Sequence, residues 1–417
     1  MPVASDVTAP TGTTTARSPL LSWLAVTAVT LGIFSLVTTE ILPIGLLTAI
    51  AADFRISDGT TGLMMTLPGL LAAVAAPTVT VATARIDRRL MLCALILLLA
   101  LANFLAAAAP VFWLVLVSRV LVGITIGGFW SIGAGLADRL VRPESAGRAT
   151  AMIFSAVPLG SVLGVPAGTF LGDLAGWRAA FLAMGVLTTA VFLLLLLLVP
   201  ALPAVRPTRL AALRALLRGG RTRFALLTTF LIVLAHFGAY TYVTPFLRHV
   251  THAGPGSVTV FLLVYGAAGV LGNFLGGAAL TRYPRATFGA AAGALAGATL
   301  LLPVFGRWEG GAIALLIVWG AAYGAVPVSS QTWFARSAPH APEAAAVLFT
   351  ASFQATISLG ALVGGVVVDH TAPSAVMLLG GVTAALAALT VWRYKARRGP
   401  AEGRVASGAR EGGRHER

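Results

Sequence analysis

Apolar positions along the chain gather into twelve runs, at about 21–48, 60–84, 90–109, 111–137, 149–172, 179–200, 224–247, 257–280, 287–306, 311–333, 344–368 and 373–392, each near or above the ~20 residues that a helix needs to cross ~30 Å of hydrocarbon. Polar and arginine-rich stretches separate them. A helix satisfies its own backbone hydrogen bonds, so it is the form such runs take in lipid. The pattern predicts an all-α integral membrane protein with twelve transmembrane helices in two six-helix bundles. Ala49-Ile50-Ala51 has the look of a cleavage site. The run before it is too long for a signal peptide and is interrupted by Glu40, so an uncleaved first span is expected.

Composition agrees: of 417 residues, 58% are hydrophobic and 10% charged, against about 25% charged in a soluble domain. The net charge of +15 would suggest nucleic acid in a soluble protein. Its placement gives a better account. With both termini inside, 24 of the 29 basic residues fall in inner segments and four (Arg55, Arg178, Arg248, Arg307) in outer ones, with Arg119 inside a span. That bias follows the positive-inside rule and an even number of spans, so a multi-pass inner-membrane protein with cytoplasmic termini and no nucleic-acid partner is expected. A single cysteine, Cys93, excludes an intramolecular disulfide. Phosphate-loop and zinc-protease patterns are absent from the sequence, so neither an ATPase engine nor a cofactor is expected, and the chain does not read as an enzyme.

The chain divides into a cytoplasmic tail (1–19), a first bundle (20–200), a basic linker (201–223), a second bundle (224–393) and a basic tail (394–417). Leu210, Leu213 and Leu217 recur at helical spacing among Arg209, Arg214 and Arg218, which suits either a helix on the anionic membrane surface or a solvated linker. The tail from Arg397 has a disordered composition. The halves echo each other: Arg85-Ile-Asp-Arg88 follows the second span and Arg282-Tyr-Pro-Arg285 the eighth, as in transporters built from parallel six-span repeats.

These residues resemble the major facilitator superfamily, in its drug:H+ antiporter-like group. Thr80 to Arg89 occupies the place of that family's G-x-x-x-D-R-x-G-R-[RK] loop, with Ala84 where the family has Asp. Arg119-Val-Leu-Val-Gly123 is similar to its R-x-x-x-G element. Gly160, Gly164, Pro166, Gly168 and Gly172 are similar to the antiporter motif. Thr38-Thr39-Glu40, Phe129-Trp130-Ser131-Ile132, Gly176-Trp177-Arg178 and Ala235-His236 to Pro245-Phe246 look like bacterial sugar efflux transporters. The resemblance implies a gating role for Arg85, Asp87, Arg88 and Arg89. The family's Asp is implicated in latching the cytoplasmic face; with Ala84 in its place, Asp87 or arginines acting on helix C-termini would have to serve.

Ionisable groups deep in a membrane are costly and by default functional, and three stand out: Glu40, Arg119 and His236. Glu40 and Arg119 each sit about five residues outside mid-span, or ~7–8 Å at 1.5 Å per residue, so they could meet at one level. One reading makes Glu40 the proton carrier, with Arg119's changing partners loading and emptying it; a second makes them a static pair that fixes packing, and a third gives Glu40 to substrate binding alone. His236 reads as a second proton site, a hydroxyl-binding donor or a packing residue. Tyr240, Tyr242, Asn273, Gln354, Trp130 and Tyr323 lie within spans and offer hydrogen bonds or flat faces to a substrate, while Trp113, Trp308 and Trp392 read as interfacial anchors. Aligning Pro43 with Pro245 puts Tyr242 at the repeat position of Glu40. The four glycines spaced by four, with Pro158 and Pro166 loosening the backbone, form a smooth stripe suited to a tight seam between the bundles, or to packing within one.

The resulting expectation is a monomeric secondary transporter, exporting a sugar-like or drug-like small molecule in exchange for protons by alternating access. A passive facilitator or symporter of the same fold and a membrane sensor are the alternatives.

Overall fold

A computed structural model of the chain describes residues 18–83, 86–133, 136–203, 216–337 and 342–393. Arg85, the linker residues Arg209 to Arg214 and the basic tail from 394 lie outside the described residues. The described residues hold twelve membrane-length helices: α1 (Pro19–Phe54), α2 (Leu63–Ala82), α3 (Arg88–Ala108), α4 (Phe112–Gly133), α5 (Ala146–Ala175), α6 (Trp177–Leu198), α7 (Gly220–Tyr240), α8 (Pro255–Arg282), α9 (Pro284–Phe305), α10 (Glu309–Ser337), α11 (Pro342–His370) and α12 (Pro373–Arg393). A short turn of helix, Asp58–Thr61, leads into α2, and Val243–His249 continues α7 after a two-residue break. Every apolar run thus has its helix.

Local chemistry sets the ends. Five helices begin on proline (Pro19, Pro255, Pro284, Pro342, Pro373), whose missing N–H costs nothing in a first turn. Ser18 accepts from Leu21 N at the start of α1, and Asp87 accepts from Arg89 N at the start of α3. Gly176, at φ +82°, turns the chain between α5 and α6. Trp113, Trp308 and Trp392 are exposed at helix ends.

The helices form two groups of six. In the first, α1 packs on α5 and α6, α2 on α4, and α3 on α4 and α6; in the second, α7 packs on α11 and α12, α8 on α10, and α9 on α10 and α12. Each group carries the same staple. Arg89, opening α3, donates to Leu196 O near the end of α6, and Arg285, opening α9, donates to Val391 O and Trp392 O at the end of α12. An arginine at a helix C-terminus meets carbonyls that have no intrahelical donor, at the negative end of the dipole.

Between the groups, α2 faces α11 and α5 faces α8. Their polar contacts run from the middle of the molecule to the end away from the chain termini. Asp369 accepts from Ser57 Oγ (2.6 Å) and Gly59 N (2.8 Å) at that far end. Arg248 and Asp173 approach to 3.4 Å, Thr244 donates to Ile44 O (2.8 Å), and Thr259 to Thr169 (2.8 Å). Gln354 donates to Glu40 nearest the middle. No cross-group hydrogen bond is found nearer the terminal end among the described residues, so the molecule is closed at its far end.

Candidate functional site

Arg119 is 1% exposed on α4, yet its guanidinium does not reach the Glu40 carboxylate. Nη2 donates to the main-chain carbonyls of Thr39 (2.9 Å) and Glu40 (3.2 Å) on α1, and Nε to Met64 O (3.2 Å) on α2. Two of those acceptors are vacant for a covalent reason. The carbonyl four residues before a proline has no helical N–H to meet, and Thr39 stands four before Pro43 while Met64 stands four before Pro68. The expected side-chain pair is therefore corrected: among the described residues no ion pair joins Glu40 to Arg119, although their charges interact. The guanidinium is spent on backbone oxygens, two of which proline leaves without a helical donor.

The Glu40 carboxylate turns the other way. Its Oε1 accepts from Gln354 Nε2 at 2.9 Å, and Gln354 belongs to α11 of the opposite group. Behind Glu40, Asn103 donates to Thr39 Oγ1 (3.2 Å) and Leu99 O (3.0 Å), extending the polar thread into the first bundle.

His236 sits in an aromatic nest in the second bundle. Tyr323 stacks on it with ring centroids 3.3 Å apart and 7° between planes, and Tyr240 stacks at 5.0 Å. Tyr240 stacks in turn on Tyr265 at 4.5 Å, and Trp319 stands edge-on to His236, Tyr240 and Tyr265. Trp319 Nε1 donates to His236 Nδ1 at 3.1 Å, so Nδ1 is the unprotonated nitrogen of a neutral ring.

Glu40, Arg119 and Gln354 thus meet at the middle of the seam, and His236, Tyr240 and Tyr323 form an aromatic cluster within the second bundle. Three expected substrate residues lie elsewhere. Tyr242 is wholly buried, its hydroxyl donating to Ala361 O at 2.7 Å beside Gly62 and Gly365; it plugs the far-end seam. Trp130 lies near the end of α4 beside Phe154. Asn273 is half-buried on α8 with its backbone against Gly324 of α10.

The glycine stripe also needs correction as a seam between bundles. Gly160, Gly164, Gly168 and Gly172 face Val37, Thr38, Leu42 and Leu46 of α1 within the first bundle, since the α1–α5 approach is close enough to exclude side chains. Pro166 is buried as well, but at about 100° per residue it lies on the opposite side of the helix, with Val162 and Thr169. The cross-group contact of α5 uses Val162, against which Gly266 of α8 packs. Asp87, Arg88 and Arg89 likewise serve their own bundle. Asp87 accepts from Leu202 N (3.1 Å), Arg88 N donates to Leu202 O (2.9 Å), and Arg139 donates to Pro203 O (2.8 Å), so this corner holds the exit of α6 and, among the described residues, bridges nothing to the second bundle.

Sequence reasoning missed Trp319, Tyr265 and Asn103. Each reads as an ordinary membrane aromatic or amide until its neighbours are known. The proline-vacated carbonyls were open to discovery, since the i, i+4 rule names them; which side chain fills them was not.

The comparisons with known proteins bear on family and fold. The Major Facilitator Superfamily model matches residues 28–351. Over 357 residues the chain is 34% identical to "Transcription regulatory protein OpdE" of Pseudomonas aeruginosa, covering 84% of this chain and 88% of that one. Over 370 residues it is 31% identical to "Purine ribonucleoside efflux pump NepI" of Escherichia coli K12, covering 89% and 93%. Among solved structures, a bacterial homolog of the human lysosomal transporter Spinster, inward-facing and occupied, matches with a TM-score of 0.73 at 17% identity over 90% of this chain and 97% of that one; this likeness concerns the fold alone. The human organic anion transporter MFSD10 matches with a TM-score of 0.64 at 18% identity, over 90% of this chain and all of that one. The chain belongs to the major facilitator superfamily, and is a multi-pass membrane secondary transporter rather than an enzyme.

Proposed function

We propose that this transporter exports a small neutral molecule bearing hydroxyls and a planar ring, a nucleoside being the class that fits best, in exchange for protons carried by Glu40. The observation that carries the reading is the Gln354–Glu40 hydrogen bond, which makes the one strongly polar carboxylate in mid-membrane a tie between the bundles. A charge-assisted hydrogen bond is roughly twice as strong as a neutral one. Protonating Glu40 weakens the tie, and losing the proton restores it, so proton occupancy and bundle position are linked. Arg119 supplies a fixed positive charge nearby. The aromatic nest of the second bundle, Tyr323 included, offers flat faces, which suits a heterocyclic base with a sugar better than a sugar alone, and the relative named as a purine ribonucleoside pump supports that choice. The arginine bias supports cytoplasmic termini in a bacterial inner membrane, with the closed far end outside.

The test uses proteoliposomes with an imposed pH gradient and radiolabelled purine ribonucleosides, sugars and amphiphilic drugs. The expected result is uphill movement of a nucleoside in wild type, and in Glu40→Gln exchange without gradient drive. Gradient-driven transport by Glu40→Gln would remove Glu40 as the carrier; sugar transport without nucleoside transport would return the substrate to the sugar class. A second reading, a sensor, is favoured by the relative named as a transcription regulatory protein; it predicts saturable binding with no movement of any substrate.

A further inference from the structure

We infer that Arg119 is a positioning residue that stands in for two backbone donors removed by proline, and so holds α1 straight through Pro43 with Glu40 aimed at Gln354; the link to Glu40 rests on the function proposed above. In a membrane, proline inside a helix is tolerated where a neighbour re-satisfies the freed carbonyl. Here one planar guanidinium does this for two helices, reaching Thr39 O on α1 and Met64 O on α2. It also holds the carbonyl of Glu40 itself, one residue along from the vacancy.

The second half of the molecule lacks the bracket at the matching proline. Pro245 stands in α7's continuation where Pro43 stands in α1. There the helix stops at Tyr240 and resumes at Val243, whereas α1 is continuous for 36 residues. On α4, Gly123 packs against Pro68 of α2, and on α10, Gly324 packs in the same way against Gly269 of α8. That pairing sets Gly320 opposite Arg119 and Gly269 opposite Pro68. With glycine in place of the guanidinium, the second half has Gly269 where α2 has Pro68, and a break where α1 is continuous.

The geometry demands a fork. Lysine keeps the charge but is a point donor that cannot span both helices. The experiment compares wild type, Arg119→Lys, and Arg119→Lys in a Pro43→Ala/Pro68→Ala background, where each alanine returns the missing N–H. Adenosine counterflow in proteoliposomes reads transport without proton drive, its pH midpoint reads Glu40, and the melting temperature of purified protein reads the bracket with no ligand.

Arg119→Lys is expected to slow counterflow about tenfold and to move the midpoint by about one pH unit, each a change near 1.4 kcal/mol. The proline replacements are expected to return both to within about threefold of wild type and to raise the melting temperature over Arg119→Lys alone. Wild-type behaviour of Arg119→Lys would show that charge suffices and overturn the bracket, as would a defect that the alanines leave unchanged. If Arg119→Lys fails to reach the membrane, recovery of protein by the alanines supports the bracket and its absence overturns it. Recovery of counterflow and stability with an unmoved pH midpoint keeps the bracket and overturns only the Glu40 reading.

Discussion

The first helix of each half meets the same obstacle and resolves it differently. α1 carries Pro43 and passes through it unbroken, with Arg119 supplying the lost hydrogen bond; α7 carries Pro245 in its continuation and breaks at Thr241–Tyr242. Around them the architecture repeats. Both halves pack their first helix on a glycine-bearing fifth helix, Gly160 and Gly164 on α5 against α1, and Gly360 and Gly364 on α11 against α7. Both use an arginine at the third helix to hold the end of the sixth. The difference teaches where chemistry entered. Charge sits on the continuous helix, where Glu40 lies at the seam, and an uncharged phenol, Tyr242, occupies the matching position on the broken one, where it seals the far end.

The comparison breaks most readily at Glu40. Glu40→Gln is expected to lower gradient-driven transport by about 100-fold or more, the size of a lost ~2.7 kcal/mol term, with counterflow preserved. Gln354→Ala removes the same tie from the other side; a fall of about tenfold in gradient-driven transport is expected, in keeping with a lost hydrogen bond to a charged group. If Gln354→Ala transports normally, the cross-bundle bond is incidental.

Glycines test whether seam and bundle differ. A Cβ at Gly266 would meet Val162 Cα at 2.8 Å across the seam, while one at Gly168 would meet Leu42 Cδ1 at 2.6 Å inside the first bundle. Overpacking costs about 1–3 kcal/mol, but it should appear in different places. Gly266→Ala is expected to open the far end, read as faster labelling of a cysteine placed at Thr244 in a Cys93→Ser background. Gly168→Ala should lower the melting temperature and leave that labelling unchanged. Equal effects on labelling would erase the distinction between the two contacts.

The smallest effect belongs to the plug. Tyr242→Phe deletes the hydroxyl that donates to Ala361 O and is expected to cost about 1 kcal/mol of stability, with labelling at Thr244 rising a few-fold. A drop in counterflow larger than that in Gln354→Ala would mean that Tyr242 handles substrate after all.

Much of this was open to reading in the chain. Twelve apolar runs gave twelve helices because backbone groups in lipid must be satisfied within the segment. Glu40, Arg119 and His236 stood out because charge and polarity are expensive there, and each is engaged by a hydrogen bond inside the molecule. Their partners were less visible. Arg119 and Glu40 read as a pair because they share a depth, but depth does not reveal that two prolines offer the guanidinium better acceptors. Tyr242 and Trp130 read as substrate ligands because an aromatic in a span carries no label for which side of a helix faces the seam. The stripe on α5 was legible as a close contact, and its partner was not.

The sequence by itself determined the membrane class, the twelve helices, the repeat and the small set of costly residues, since each follows from the local chemistry of a segment against lipid. Tertiary structure alone decided that the Glu40 carboxylate faces Gln354 and that Arg119 serves the backbone, because both depend on which of several nearby groups is geometrically free. It also decided that the two halves close at the far end: that contact joins residues such as Ser57 and Asp369, 312 positions apart, and only packing brings them within reach.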